Sequence, residues 1–139
     1  MAQIAYARYT TTLFYFVVNS PVPLFPNHHR HIVSNIRAGP DCLHILDLVH
    51  YNIRPENIFV RGLESGRLEG LEVVIGDFDS TKRVGVLLVG KSAPEECWPK
   101  SLRLMVDTAQ VGIDEWCLER FEEWFEGWRM VHEIQNGRP

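Results

Sequence analysis

The stretch LVHYNIRPENIFV, from Leu48 to Val60, places polar residues at short intervals and ends in an apolar run that is typical of a strand. A second strand-like stretch, LEVVIGDF (Leu71–Phe78), follows a polar segment that contains three glycines. Two such strands joined by a Gly-containing segment predict a β-hairpin with a long loop. The hairpin would bring Asn57, which begins the first strand, close to Asp77, which ends the second.

Asn57 and Asp77 carry the oxygen ligands that phosphoryl transfer needs for its metal ion. Such chemistry uses an Asp and an Asn to hold Mg²⁺, a carboxylate to orient the acceptor, and a cation for the transferring phosphate. Arg54 lies just before Asn57 and is a candidate for the cation.

Four short motifs, in order, resemble those of protein kinases. HYNIRPENIFV resembles the catalytic loop H-R-D-L-K-P-E-N, GDFDS the D-F-G metal loop, SAPEE the A-P-E motif, and VDTAQVGI the D-x-W-x-x-G start of the large central helix. Any one of them alone would be a weak signal, and together they are specific. The matching residues are His50, Pro55, Glu56, Asn57, Asp77, Phe78, Ala93, Pro94, Glu95, Asp107 and Gly112.

The resemblance covers residues 41–120 and implies an α+β fold. The expected architecture is a mostly helical, minimal protein-kinase C-terminal lobe whose small hairpin carries the catalytic-loop and metal-loop remnants. Residues 1–27 are expected to form a strand and a Pro-rich connector, comparable to a kinase hinge, and residues 28–139 a truncated large lobe.

The resemblance also implies roles for individual residues. His50 and Phe78 would stack as part of an internal spine that Asp107 helps to anchor, and Glu95 would pair with an arginine. Asn57 and Asp77 would contact ATP and Mg²⁺, although polar remnants at a hairpin mouth are the favoured alternative.

The departures from the kinase pattern concern catalysis. Asn52 replaces the loop aspartate, and an amide is a very poor general base. Tyr51 and Arg54 replace the usual Arg and Lys, and Asp79 replaces the glycine of the metal loop. We find neither a G-x-G-x-x-G loop nor a V-A-I-K lysine upstream. A catalytically impaired, pseudokinase-like interaction or scaffold module is therefore expected, with no tightly bound ATP or Mg²⁺. The alternatives are a divergent Ser/Thr kinase with weak phosphotransfer and a fragment of a longer protein.

The remaining segments give coarser predictions. TTTLFYFVV (residues 10–18) favours a strand, and NSPVPLFPN an extended connector. HHRHIVSNI predicts one or two helical turns that end at Ala38–Pro40, and PDCLHILDLVH predicts a short helix. Arg83–Gly90 is a possible third strand, and Val106–Ile134 a long helix.

Composition limits the class of partner and compartment. The net charge is −4, and the 14 Lys and Arg residues form no basic run, which argues against nucleic-acid binding. The apolar run Leu13–Val18 is too short to span a membrane. Cys42, Cys97 and Cys117 lie far apart without a CxxC pair, so a reducing cytosol or nucleus is expected.

Two residue clusters have competing interpretations. His28 and His31 in HHRH are compatible with a zinc site, but a solvated turn is favoured because no second ligand pair stands nearby. The aromatic residues of the last segment would form either core or a surface for a protein partner or self-association. They are Trp116, Phe121, Trp124, Phe125 and Trp128.

Overall fold

A computed structural model describes residues 9, 11–19, 24, 26–62, 67–88, 108–135 and 137. Its centre is the predicted hairpin, formed by β3 (Ile58–Arg61) and β4 (Glu72–Ile75) in antiparallel register with Ile58 opposite Ile75. A two-residue strand, β1 (Thr11–Thr12), pairs with the other edge of β3.

The apolar segment LFYFVV forms α1 (Leu13–Asn19), so the prediction of a strand there was wrong beyond Thr11–Thr12. The Thr12 hydroxyl accepts a hydrogen bond from the Tyr15 backbone N–H at 3.2 Å, which caps the helix start. Leu13 and Val17 lie one turn apart and are both buried. Capping and burial on one face therefore outweigh the β preference of the aromatic and Val residues.

The helix α2 (Pro26–Ile45) runs unbroken through the predicted stop at Ala38–Pro40. Its buried residues recur every fourth position, so that one stripe continues across the proline; they are His28, Ile32, Ile36 and Pro40. The helix packs on β4, where a Cβ at Gly39 would lie 3.2 Å from the Ile75 Cδ1 atom. Burial of this stripe therefore offsets the loss of the backbone hydrogen bond that Pro40 cannot donate.

The strand β2 (Leu48–Val49) pairs with β5 (Lys82–Arg83) and leads directly into the loop at His50. Among residues 83–88, which the structure describes, Arg83 alone lies in a strand, so most of the predicted third strand is not formed there. Beyond Arg83, Leu87 forms an isolated bridge to Thr108.

The predicted long helix is present as α3 (Val111–Gln135), and Thr108–Gln110, which the prediction included, lie before its start. Its residues Cys117, Leu118, Phe121 and Phe125 are buried in one apolar core with α1, α2 and the hairpin. The fold is thus α+β and mostly helical with a small hairpin, as predicted. No helix in the described ranges is both long enough and apolar enough to cross a membrane.

Candidate functional site: an anchored loop at the hairpin mouth

The carboxylate of Asp114, in the first turn of α3, holds the loop that follows β2. It is fully buried and accepts hydrogen bonds from the backbone N–H of His50 to Oδ2 and of Tyr51 to Oδ1, each at 2.8 Å. The His44 Nε2–H, from the end of α2, donates to Oδ2 at 2.9 Å. One carboxylate therefore joins α2, the loop and α3.

Tyr51 shows why the loop needs this support. Its φ is 74°, in the left-handed region that a bulky side chain seldom adopts. The side chain is buried in a second apolar cluster with Val49, Ala109 and Ile113. The hydrogen bond to Asp114 and this burial together stabilise a strained backbone.

His50 links the loop to the hairpin. It is fully buried, and its Nε2–H donates to the Gly76 carbonyl at 2.9 Å, while Nδ1 accepts the Asn52 N–H at 3.3 Å. Burial lowers the pKa of His50, and the Gly76 carbonyl and the Asp114 and Asp77 carboxylates oppose that shift only in part. A neutral ring suits this arrangement, because a protonated Nδ1 would face another donor.

His50 and Phe78 form the ring contact that the resemblance implied. Their centroids lie 5.1 Å apart with the rings at 62°, an edge-to-face arrangement. Phe78 is 53% exposed on its other side. An apolar groove beside it, lined by Gly39, Cys42 and Val74 among others, lies between α2 and β4.

Asn52 and Arg54 are the residues that the resemblance aligned with a catalytic Asp and Lys. Asn52 is buried, and its Oδ1 has no hydrogen-bond partner among the described residues. The Arg54 Nε lies 3.5 Å from the Glu56 carboxylate, an ion pair that is too long for a hydrogen bond. Arg54 thus faces a nearby carboxylate.

Asn57 and Asp77 meet at the mouth of the hairpin. The Gly76 N–H donates to the Asn57 carbonyl at 2.8 Å, and Asp77 follows Gly76 directly. The Asn57 Nδ2 donates to the Asn52 carbonyl at 3.0 Å, which leaves the side-chain Oδ1 available to a cation. Asp77 is exposed and has a φ of 58°. Amide and carboxylate oxygens are the ligand type that Mg²⁺ prefers, and the metal site remains a prediction.

Asp107 and Glu95 lie outside the described residues. The anchoring role that the resemblance assigned to Asp107 is filled by Asp114, seven residues later. Asp114 and Trp116 form the D-x-W of the kinase pattern, with Glu119 in place of its glycine. This D-x-W spacing is visible in the sequence and could have identified Asp114 as the anchoring residue. Arg129, a possible partner of Glu95, forms an ion pair with Glu126.

The histidine and aromatic clusters are largely structural. His28 is buried, His29 stacks on Phe125 at 4.4 Å between centroids, and the His31 Nε2 lies 3.2 Å from the Leu71 carbonyl. Within the aromatic cluster, Phe121 and Phe125 belong to the core, while the three tryptophans are partly buried against it. Trp116 and Trp124 also line a cavity beside the loop.

Comparison with known proteins supports the fold and nothing finer. No family model matches the chain, and no curated protein matches it. A chain of the yeast RNA Pol II CTD kinase CTDK-1 complex resembles 80% of this chain with a TM-score of 0.66 and 16% identity. The match spans only 35% of that yeast chain. Together with the loop and hairpin geometry, this similarity shows that the chain has a protein-kinase-like fold.

Proposed function

We propose that this chain is a pseudokinase-like module that binds a protein partner and does not transfer phosphate. The observation that carries the proposal is Asn52, which stands where an acceptor-orienting carboxylate is required. An amide cannot take the proton of a substrate hydroxyl at neutral pH.

The way the loop is held supports this proposal. Asp114 fixes the loop backbone, and His50 contacts both Gly76 and Phe78. These contacts preserve the shape of the loop whether or not chemistry takes place. A fold that keeps these loop contacts but lacks the general base can still present a surface to a protein partner.

A cavity of about 240 Å³ beside the loop is the proposed partner surface. Its walls are mostly aromatic and apolar, and two arginines and one glutamate lie at its edge. Phe14, 39% exposed, is stacked on Trp124 at 6.3 Å between ring centroids. Arg120 lies over the Trp116 ring at 5.6 Å. Rigid aromatic side chains beside arginine are typical of the centres of protein interfaces.

A phosphotransfer assay tests the catalytic part of the proposal. The full chain, incubated with labelled ATP, Mg²⁺ or Mn²⁺ and a generic protein substrate, is expected to transfer no label above background. The Asn52→Asp variant tests whether the base alone is missing. Robust transfer by the parent chain that disappears in Asp77→Ala would overturn the proposal.

Light scattering after size-exclusion chromatography tests the surface for self-association. If a second copy is the partner, the parent mass rises with concentration, and Trp124→Ala lowers that mass. Glu119→Gln, an exposed change on the same helix, is the matched control. If the chain is a monomer at all concentrations, the proposed partner is a different protein. We expect the chain to act in the cytosol or nucleus.

A divergent kinase with weak transfer is the second candidate, favoured by the free oxygens of Asn57 and Asp77. Positioning and electrostatics dominate phosphoryl transfer, so loss of the base need not abolish it. A thermal-shift titration with ATP and Mg²⁺ distinguishes the two candidates. A rise in melting temperature that is lost in Asp77→Asn would favour the enzyme.

A further inference from the structure

We infer that Asp41, His44 and Glu115 form a binding site for a divalent transition-metal ion such as Zn²⁺. One ligand atom from each residue lies within 4.8 Å of the other two. Asp41 and His44 stand three residues apart near the end of α2, and Glu115 lies in the first turns of α3. The site is therefore built across the junction of two helices.

The hydrogen bond of His44 to Asp114 leaves the other ring nitrogen for a metal. Its Nε2–H donates to the Asp114 carboxylate at 2.9 Å, so Nδ1 carries the lone pair. Histidine ligands of metal sites commonly donate their other ring N–H to a carboxylate, which fixes the ring and raises its basicity. Asp114 supplies this contact from outside the three-residue set.

The charges around the site favour a cation. Asp41, Glu115 and Asp114 surround a single imidazole. Arg37 also lies near Asp41 and Glu115, but its guanidinium is bound to the Glu122 carboxylate at 2.5 Å. Three carboxylates therefore lie near one imidazole and one guanidinium that is shared with Glu122.

One imidazole nitrogen and two carboxylate oxygens select the type of metal. Such a set, completed by water, suits Zn²⁺, Co²⁺ or Ni²⁺, whereas Mg²⁺ and Ca²⁺ prefer oxygen ligands alone. Exposed Asp41 can rotate to shorten its distance to the other ligands on binding. A bound ion would join α2 to α3 and brace the Asp114 carboxylate that holds the loop.

Calorimetry with Zn²⁺ alone on the chelator-treated full chain tests the inference. We expect one ion per chain and a higher melting temperature with Zn²⁺. Asp41→Asn and Glu115→Gln should each weaken binding about tenfold or more, because each removes one of three ligands. Asp47→Asn, an exposed change just after α2, is the matched control and should bind as the parent does.

Cobalt provides an independent readout. Co²⁺ should give visible absorption bands typical of low-coordinate geometry, and Zn²⁺ should displace them. Zn²⁺ affinity unchanged in the Asp41→Asn, Glu115→Gln double variant would place binding elsewhere and overturn the inference. Asp77→Asn should leave Zn²⁺ binding unchanged, so failure here is separable from failure of the proposed function.

Discussion

The Asp114 carboxylate should be among the most sensitive positions of the fold. It accepts three hydrogen bonds, from His50 N, Tyr51 N and His44 Nε2, with no exposed surface. A hydrogen bond to a charged group contributes about 1.5–3 kcal/mol. Asp114→Asn keeps one acceptor oxygen but turns an amide NH₂ toward a backbone or ring donor, so we expect a loss of about 3 kcal/mol.

That loss is large for a domain whose free energy of unfolding should be about 5–15 kcal/mol. It corresponds to a fall in melting temperature of about 10 °C for a chain of this size. Urea unfolding followed by circular dichroism should show a lower midpoint with an unchanged slope. Glu119→Gln removes the same charge from an exposed site on the same helix and should change stability by less than about 0.5 kcal/mol. A loss below about 1 kcal/mol in Asp114→Asn would refute the anchoring role.

Two further predictions concern acidity and the hairpin loop. Because burial lowers the pKa of His50 and His29, the unfolded chain binds more protons below about pH 6.5, and stability should fall as the pH drops from there toward the folded pKa values. Urea unfolding at about pH 7 and 5.5 measures this, and greater stability in acid would contradict it. Gly62→Ala should lower the free energy of unfolding by about 2 kcal/mol more than Gly70→Ala. Both glycines have positive φ, but only at Gly62 would a Cβ meet a backbone oxygen, at 2.3 Å. Equal melting temperatures for these two variants would contradict the close approach of Gly62 to the Gly70 carbonyl.

The sequence predicted the hairpin and the central contacts of the loop. Two short apolar runs joined by a Gly-containing segment predicted both strands, and the motif resemblance paired His50 with Phe78. These features depend on local pattern and on short motifs, which a single sequence displays directly.

The errors arose where tertiary packing overrides local preference. Residues 13–19 have β-favouring side chains but are helical because Thr12 caps them and one face is buried. Pro40 should end a helix, yet α2 continues because its buried stripe extends past the proline. The resemblance pointed to Asp107 as the anchoring aspartate, and that residue lies outside the described ranges. The structure shows that Asp114, seven residues later, contacts the loop.

The left-handed backbone at Asp77 bears on how substitutions there should be interpreted. With a φ of 58°, this position favours Gly, Asn or Asp for conformational reasons alone, because their short or absent side chains tolerate that region. Selection on backbone shape could thus keep an aspartate here after any role in ion binding had been lost. Alanine would disturb both properties at once, whereas asparagine retains the conformational preference and removes only the charge.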